Sequence, residues 1–177
     1  MSQMTKSLAK PKFKAVASKG VPRRKRGHVI VKKSGAGVVT YSIQKYSKNV
    51  ASQDFTPAKV IKSLKDGLLV GELDVLRVNL SLPMEKLVPM LGISKATFHR
   101  RKTAGKLDTA ESDRVVRFAR LLGKAAAVME SLEDGRRWLK SPQVGLGGAV
   151  PLEYAETEVG AREVEDLLGR IEYGVYS

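Results

Sequence analysis

The chain has 177 residues and a net charge of +14, from 32 Lys and Arg against 18 Asp and Glu, so part of its surface suits a polyanion or an acidic protein face. It holds no cysteine and only two histidines, His28 and His99, which removes disulfides, thiolate nucleophiles, zinc fingers and iron–sulfur clusters. No apolar run approaches the roughly 18 to 20 residues of a membrane span, and the first residues lack the apolar stretch of a secretory signal, so the sequence reads as a soluble, cytoplasmic protein of one domain with an appendage.

The appendage comes first. Residues 1–53 carry 13 Lys or Arg and no acid; the first acid is Asp54, which leaves 19 basic and 18 acidic groups in the rest. With few apolar residues and many like charges, residues 1–27 cannot bury enough surface to offset their ordering entropy and read as a mobile arm. The β-branched and aromatic runs at 28–31 and 38–43 read as a hairpin, which would need a partner surface because two isolated strands are marginal in water. Two uses of the arm stand open: binding to nucleic-acid phosphates, or a solvated tail without a partner.

From Thr56 onward the pattern becomes helical. Thr56-Pro57 is an N-cap followed by proline at the first helical position, and Val60, Ile61 and Leu64 share a side before Gly67. A second helix over 69–80 would present Leu69, Leu73, Leu76 and Leu80 as a stripe.

Residues 83–105 have the layout of a helix-turn-helix. Leu87, Val88 and Leu91 face inward, Gly92 makes the left-handed turn, Ile93 plugs the corner, Ser94 caps the second helix and Phe98 packs it back. In that register Lys95, Ala96, His99 and Arg100 point outward toward base edges in a major groove, while Ser94, Thr97, Arg101 and Lys102 are placed for phosphates. Pro89, inside the first helix, departs from the pattern. His99 has no second ligand nearby, so no metal site is expected.

Asp108 and Glu111 form a capping box that opens a long helix to about residue 130, with Val115, Phe118, Ala119, Leu122, Ala125, Ala126 and Met129 on its apolar stripe. The alanines allow close approach of another helix or of a second copy. A short helix over 134–140 stops at Ser141-Pro142, and the glycines at 145, 147 and 148 are spaced for turns rather than for a phosphate cradle. The last helix, 161–173, shows Val164, Leu167, Leu168 and Ile171 on one face, and Gly174 ends it.

The runs Glu111-Ser-Asp-Arg-Val-Val-Arg-Phe-Ala-Arg120, Gly135-Arg-Arg-Trp-Leu139, Gly147-Gly-Ala-Val-Pro-Leu152 and Val164-Glu-Asp-Leu-Leu-Gly-Arg-Ile-Glu-Tyr-Gly-Val-Tyr176 resemble the Xre/MbcA/ParS antitoxin family over about residues 60–177. The resemblance implies an all-helical antitoxin whose helix-turn-helix binds operator DNA and represses the shared operon. It also implies that the C-terminal region blocks a RES-domain toxin that degrades NAD. Carried to this chain, the toxin-facing residues are Glu172, Tyr173, Gly174, Val175, Tyr176 and Ser177. Two tyrosines, a glycine hinge and a terminal carboxylate fit a concave pocket that takes a phosphate-bearing ligand.

The expected division is a basic arm over 1–53, a helix-turn-helix domain over 54–106 and a helical toxin-binding and oligomerisation domain over 107–177, the last with a net charge of about −3 counted from Lys106. Two copies on a palindromic site would be needed for repression, in a homodimer or a larger complex with toxin. No cofactor, metal or membrane is expected, and the location would be the cytoplasm, on the nucleoid when bound to operator. A stand-alone helix-turn-helix regulator or partition protein is the other reading. An enzyme is disfavoured, because the carboxylates Glu153, Glu156, Glu158, Glu163, Glu165 and Asp166 are spaced as a solvated helix face and have no ligand partner evident in the sequence.

Overall fold

In the computed structural model the described residues, 37–46 and 56–175, form nine α-helices and a 3-10 turn, with no strand beyond an isolated bridge. The chain is all-α over these residues. The helices are α1 (Val38–Gln44), α2 (Pro57–Asp66), α3 (Gly71–Leu80), α4 (Met84–Met90), α5 (Lys95–Ala104), α6 (Thr109–Val128), α7 (Leu132–Leu139), α8 (Pro151–Tyr154) and α9 (Glu158–Tyr173), with the 3-10 turn at Val144–Leu146.

The axis of the fold is α6. Its capping box forms as the sequence indicates: the Glu111 N–H donates to Asp108 at 2.7 Å and the Asp108 N–H donates to the Glu111 carboxylate at 2.9 Å. Val115, Phe118, Ala119, Leu121, Leu122 and Ala125 are completely buried along it. The small second half of the stripe packs inside the fold. A methyl on Gly135 of α7 would stand 2.7 Å from the Ala126 backbone nitrogen, so α7 lies close against α6 only because that position has no side chain. Burial at this density stabilises through many short contacts, and one core cluster runs from Val38 to Leu168 without a gap. The boundary expected between residues 106 and 107 is therefore not a break in packing. Leu107 and Leu68 are joined there by a 2.8 Å backbone hydrogen bond, and the Leu68 N–H donates to Ser112 at 2.9 Å.

The hairpin expected across 28–43 is corrected in its second half. Residues 38–43 are helical in α1, and Val38, Val39 and Ile43 are buried against α6 and α3. A β-branched run spaced i, i+1, i+5 covers a helix face as well as a strand, and burial against α6 outweighs the weak β preference. The first half of that hairpin and most of the arm lie outside the described residues. The arm as drawn to residue 53 therefore includes a helix that belongs to the core.

Two apolar stripes are narrower than the sequence implies. Leu69 precedes α3, pairs with Lys106 in the isolated bridge and is 63% exposed, while Leu73, Leu76 and Leu80 are fully buried. On α2, Val60 packs on the core but Ile61 is 54% exposed. Both ends of α2 follow the sequence signals, with the Lys59 N–H donating to Thr56 at 3.3 Å and Gly67 at φ 78°. Helices α7 and α9 begin two and three residues earlier than expected, because Ser131 and Thr157 cap them. Pro89 is accommodated in the last turn of α4, where it removes only the bond that would reach the exposed Glu85 carbonyl, and the helix ends at the next residue.

Candidate nucleic-acid interface and carboxyl-terminal segment

The helix-turn-helix is assembled from the corner outward. Gly92 adopts φ 65°, which an L side chain resists, and Leu87, Val88, Leu91 and Ile93 bury around the turn. Arg114 of α6 reaches across and donates to the Leu91 carbonyl at 2.5 Å, latching the corner to the central helix. Ser94 caps α5: its hydroxyl accepts from the Thr97 N–H at 3.1 Å and donates to the Thr97 hydroxyl at 2.9 Å. No residue of α5 is fully buried, and Phe98 alone packs partly on the core.

Lys95, Ala96, His99 and Arg100 are exposed. Their spacing places them along one outward side of α5, where a helix seated in a major groove meets base edges. Ser94 and Thr97 sit at the amino end of α5, where backbone N–H groups and the helix dipole favour an anion. Lys102 lies over the Phe98 ring at 5.7 Å, so its stem is held while its ammonium stays exposed. No group of three or more His, Asp or Glu is arranged to hold a metal ion among the described residues.

Arg101, expected to meet a phosphate, has partners within the fold. Its guanidinium bonds Glu111 at 2.7 Å and Asp108 at 2.7 Å, which ties the carboxyl-terminal part of α5 to the capping box of α6. The hydrogen bond to Glu111 holds the Arg101 pKa above its usual value, against a smaller opposing effect of burial. Glu111 is itself buried, so this guanidinium neutralises a carboxylate the core would otherwise hold uncompensated. The signal was present in the sequence, since the same two acids define the capping box seven and ten residues after Arg101.

At the other end, α9 is packed through Ala161, Val164, Leu167 and Leu168 and pinned by α6. Arg120 meets Glu165 at 2.7 Å, Lys124 donates to the Glu165 carbonyl at 2.8 Å, and Arg117 stands 2.9 Å from Glu158. Two of the six carboxylates read as a solvated face are therefore paired across the helix interface. Gly174 closes α9 in the left-handed conformation at φ 69°, with the Val175 N–H donating to the Arg170 carbonyl at 2.9 Å. Glu172 is exposed, Tyr173 is 79% exposed and Val175 is 56% exposed, so neither of these two covers the helix core. Tyr176 and Ser177 lie outside the described residues.

Residues 60–120 match the antitoxin Xre-like helix-turn-helix domain, and residues 124–174 match the antitoxin Xre/MbcA/ParS C-terminal toxin-binding domain. The two matches meet within α6. The chain is 35% identical over 121 residues to the antitoxin Xre of Yersinia enterocolitica, covering 67% of this chain and 81% of that protein. It is 30% identical over 131 residues to the antitoxin Xre of Photorhabdus laumondii, covering 73% and 80%. A protein of Sphingobium named Prs ADP-ribosylating antitoxin is 25% identical over 132 residues, covering 69% and 83%.

Proposed function

Because the chain belongs to the Xre/MbcA/ParS family of antitoxins, we propose that it neutralises a RES-type, NAD-degrading toxin by inserting residues 172–177 into that enzyme's active site. It also represses its own operon through α5. The observation that carries the first half is the contrast at the end of α9: a helix buried and ion-paired along its length, then Tyr173 and Val175 left in solvent beyond the core. Aromatic and aliphatic groups held on a capped helix end lose little conformational freedom on entering a cleft, and their burial supplies the binding energy. The name of the Sphingobium relative points to ADP-ribosyl chemistry, whose donor is NAD, and this supports a nucleotide cleft as the partner.

Co-expression with the partner toxin tests this reading. A chain ending at Tyr173 should fold and fail to protect cells; full protection by it would overturn the plug. Repression rests on two copies of α5 placed about one duplex turn apart. Arg100→Ala should weaken operator binding by about 1–3 kcal/mol if it contacts a base, while neutralisation stays intact.

A further inference from the structure

Arg136, Arg137 and Lys140 gather at the carboxyl end of α7, in a half of the chain whose charge balance is acidic. Glu133 and Asp134 open that helix, so the order of charges along it suits the helix dipole. The dipole does not decide which neighbour the cations face. In the fold the three line an open cleft of about 350 Å³ together with Ser81, Glu133 and Ser141. Its lining holds one carboxylate against three cations, and that carboxylate is exposed, 3.7 Å from Arg137.

The cleft lies at the junction of α3 and α4. The Arg136 Nε–H donates to the Asn79 carbonyl and the Lys140 ammonium to the Leu80 carbonyl at 3.4 Å, which ties the end of α7 to the end of α3. Each bond uses one donor of a group that has five or three. Ser81 closes α3 in the left-handed conformation at φ 51°, which glycine adopts without strain, and the serine adds a hydroxyl to the cleft lining. Arg137 is exposed and meets Asp134 of its own helix at 3.0 Å, a surface pair weak enough for a phosphate to displace.

Two residues past Ser81, Pro83 is the N-cap of α4, the first helix of the helix-turn-helix. In that motif the second helix enters the major groove and the first crosses the sugar–phosphate backbone. A duplex read by α5 has its backbone beside α4, and the cleft adjoins the start of that helix. Guanidinium and ammonium groups match a phosphodiester in charge and hydrogen bonding, and such a contact fixes register without reading sequence. We propose that Arg136, Arg137, Lys140 and Ser81 take a backbone phosphate of the duplex, so that the module matched to toxin binding, residues 124–174, also grips DNA. This rests on α5 being the reading helix.

The test uses the full chain and a duplex that it enriches from a random pool. Affinity is measured against salt concentration, and backbone protection by hydroxyl-radical footprinting at saturating protein. Each phosphate contact contributes about 0.9 to the slope of log affinity on log salt. Arg137→Gln with Lys140→Gln should therefore lose a slope of about one to two and the protection at one backbone position beside the central site. The unfolding midpoint and toxin neutralisation should be unchanged, since both side chains are exposed. Arg137→Lys with Lys140→Arg keeps the charges and should keep slope and footprint; loss in this variant too would mean a structural role and overturn the proposal. An unchanged slope and footprint in the Gln pair would overturn it while leaving α5 as reader, and so would a lower slope with an intact footprint, which marks a diffuse effect of net charge. Lost neutralisation with DNA binding intact would assign the cleft to the toxin and overturn it as well. If Arg100→Ala leaves affinity and the central protection unchanged, or if no duplex is enriched, the α5 reading fails and this one with it.

Discussion

Helices α5 and α9 carry the two sets of candidate contacts and are held by opposite means. In α5 no residue is fully buried, and the helix is fixed by Phe98, the Gly92 turn, the Ser94 cap and the Arg101 bridge to α6. In α9 a stripe from Gly160 to Leu168 is buried on one face, Val159, Arg162, Glu163 and Asp166 stay exposed on the other, and the tip beyond Leu168 carries no buried residue. A helix meant to lie in a groove must leave most of its circumference free, so polar bonds replace burial as its anchor. A helix that presents only its tip keeps its length for the core.

The comparison can be broken from either side. The largest effect belongs to the apolar anchor: Leu168→Ala, at a fully buried position, should cost about 2–5 kcal/mol in denaturant unfolding and impair both activities together. Next comes the polar anchor. If the guanidinium, bonded to Asp108 and Glu111, acts by holding α5 in place, Arg101→Ala should lower duplex affinity without changing the salt slope, and Arg101→Lys should fail to restore it, since an ammonium lacks the fork that meets two carboxylates. A slope reduced by about one would instead mean that Arg101 reaches DNA. Ser94→Ala removes a cap and should cost about 1 kcal/mol, with the loss appearing in DNA binding and not in neutralisation. Tyr173→Ala should leave stability within about 0.5 kcal/mol, because the ring is exposed, and still abolish neutralisation in a growth assay.

Where the signal was local, the sequence was sufficient. The caps at Thr56, Ser94 and Asp108, the Gly92 turn and the apolar stripes of α6 and α9 depend on neighbours three or four residues away, and each is present in the structure. What escaped depends on partners far along the chain. The helical state of residues 38–43 is set by α6, about 80 residues later, where a methyl on Gly123 would stand 2.5 Å from the Ile43 carbonyl oxygen. The Glu72 carboxylate, which accepts from the N–H groups of Val38 and Val39 at 3.0 Å each, and the pairing of Arg120 with Glu165 are contacts of the same distant kind. Short helices without side-chain caps, such as α8, leave little local trace.

The helix that both halves share, α6, decides how the molecule can be divided. Residues 60–120 and 124–174 belong to two recognisable modules, yet α1, α2, α3, α7 and α9 all rest on the same 20-residue rod. A protease finds no linker between the modules, and a gene fragment encoding either one alone would expose half of the rod's apolar circumference to water. The modules should melt in a single transition and travel through evolution as a pair.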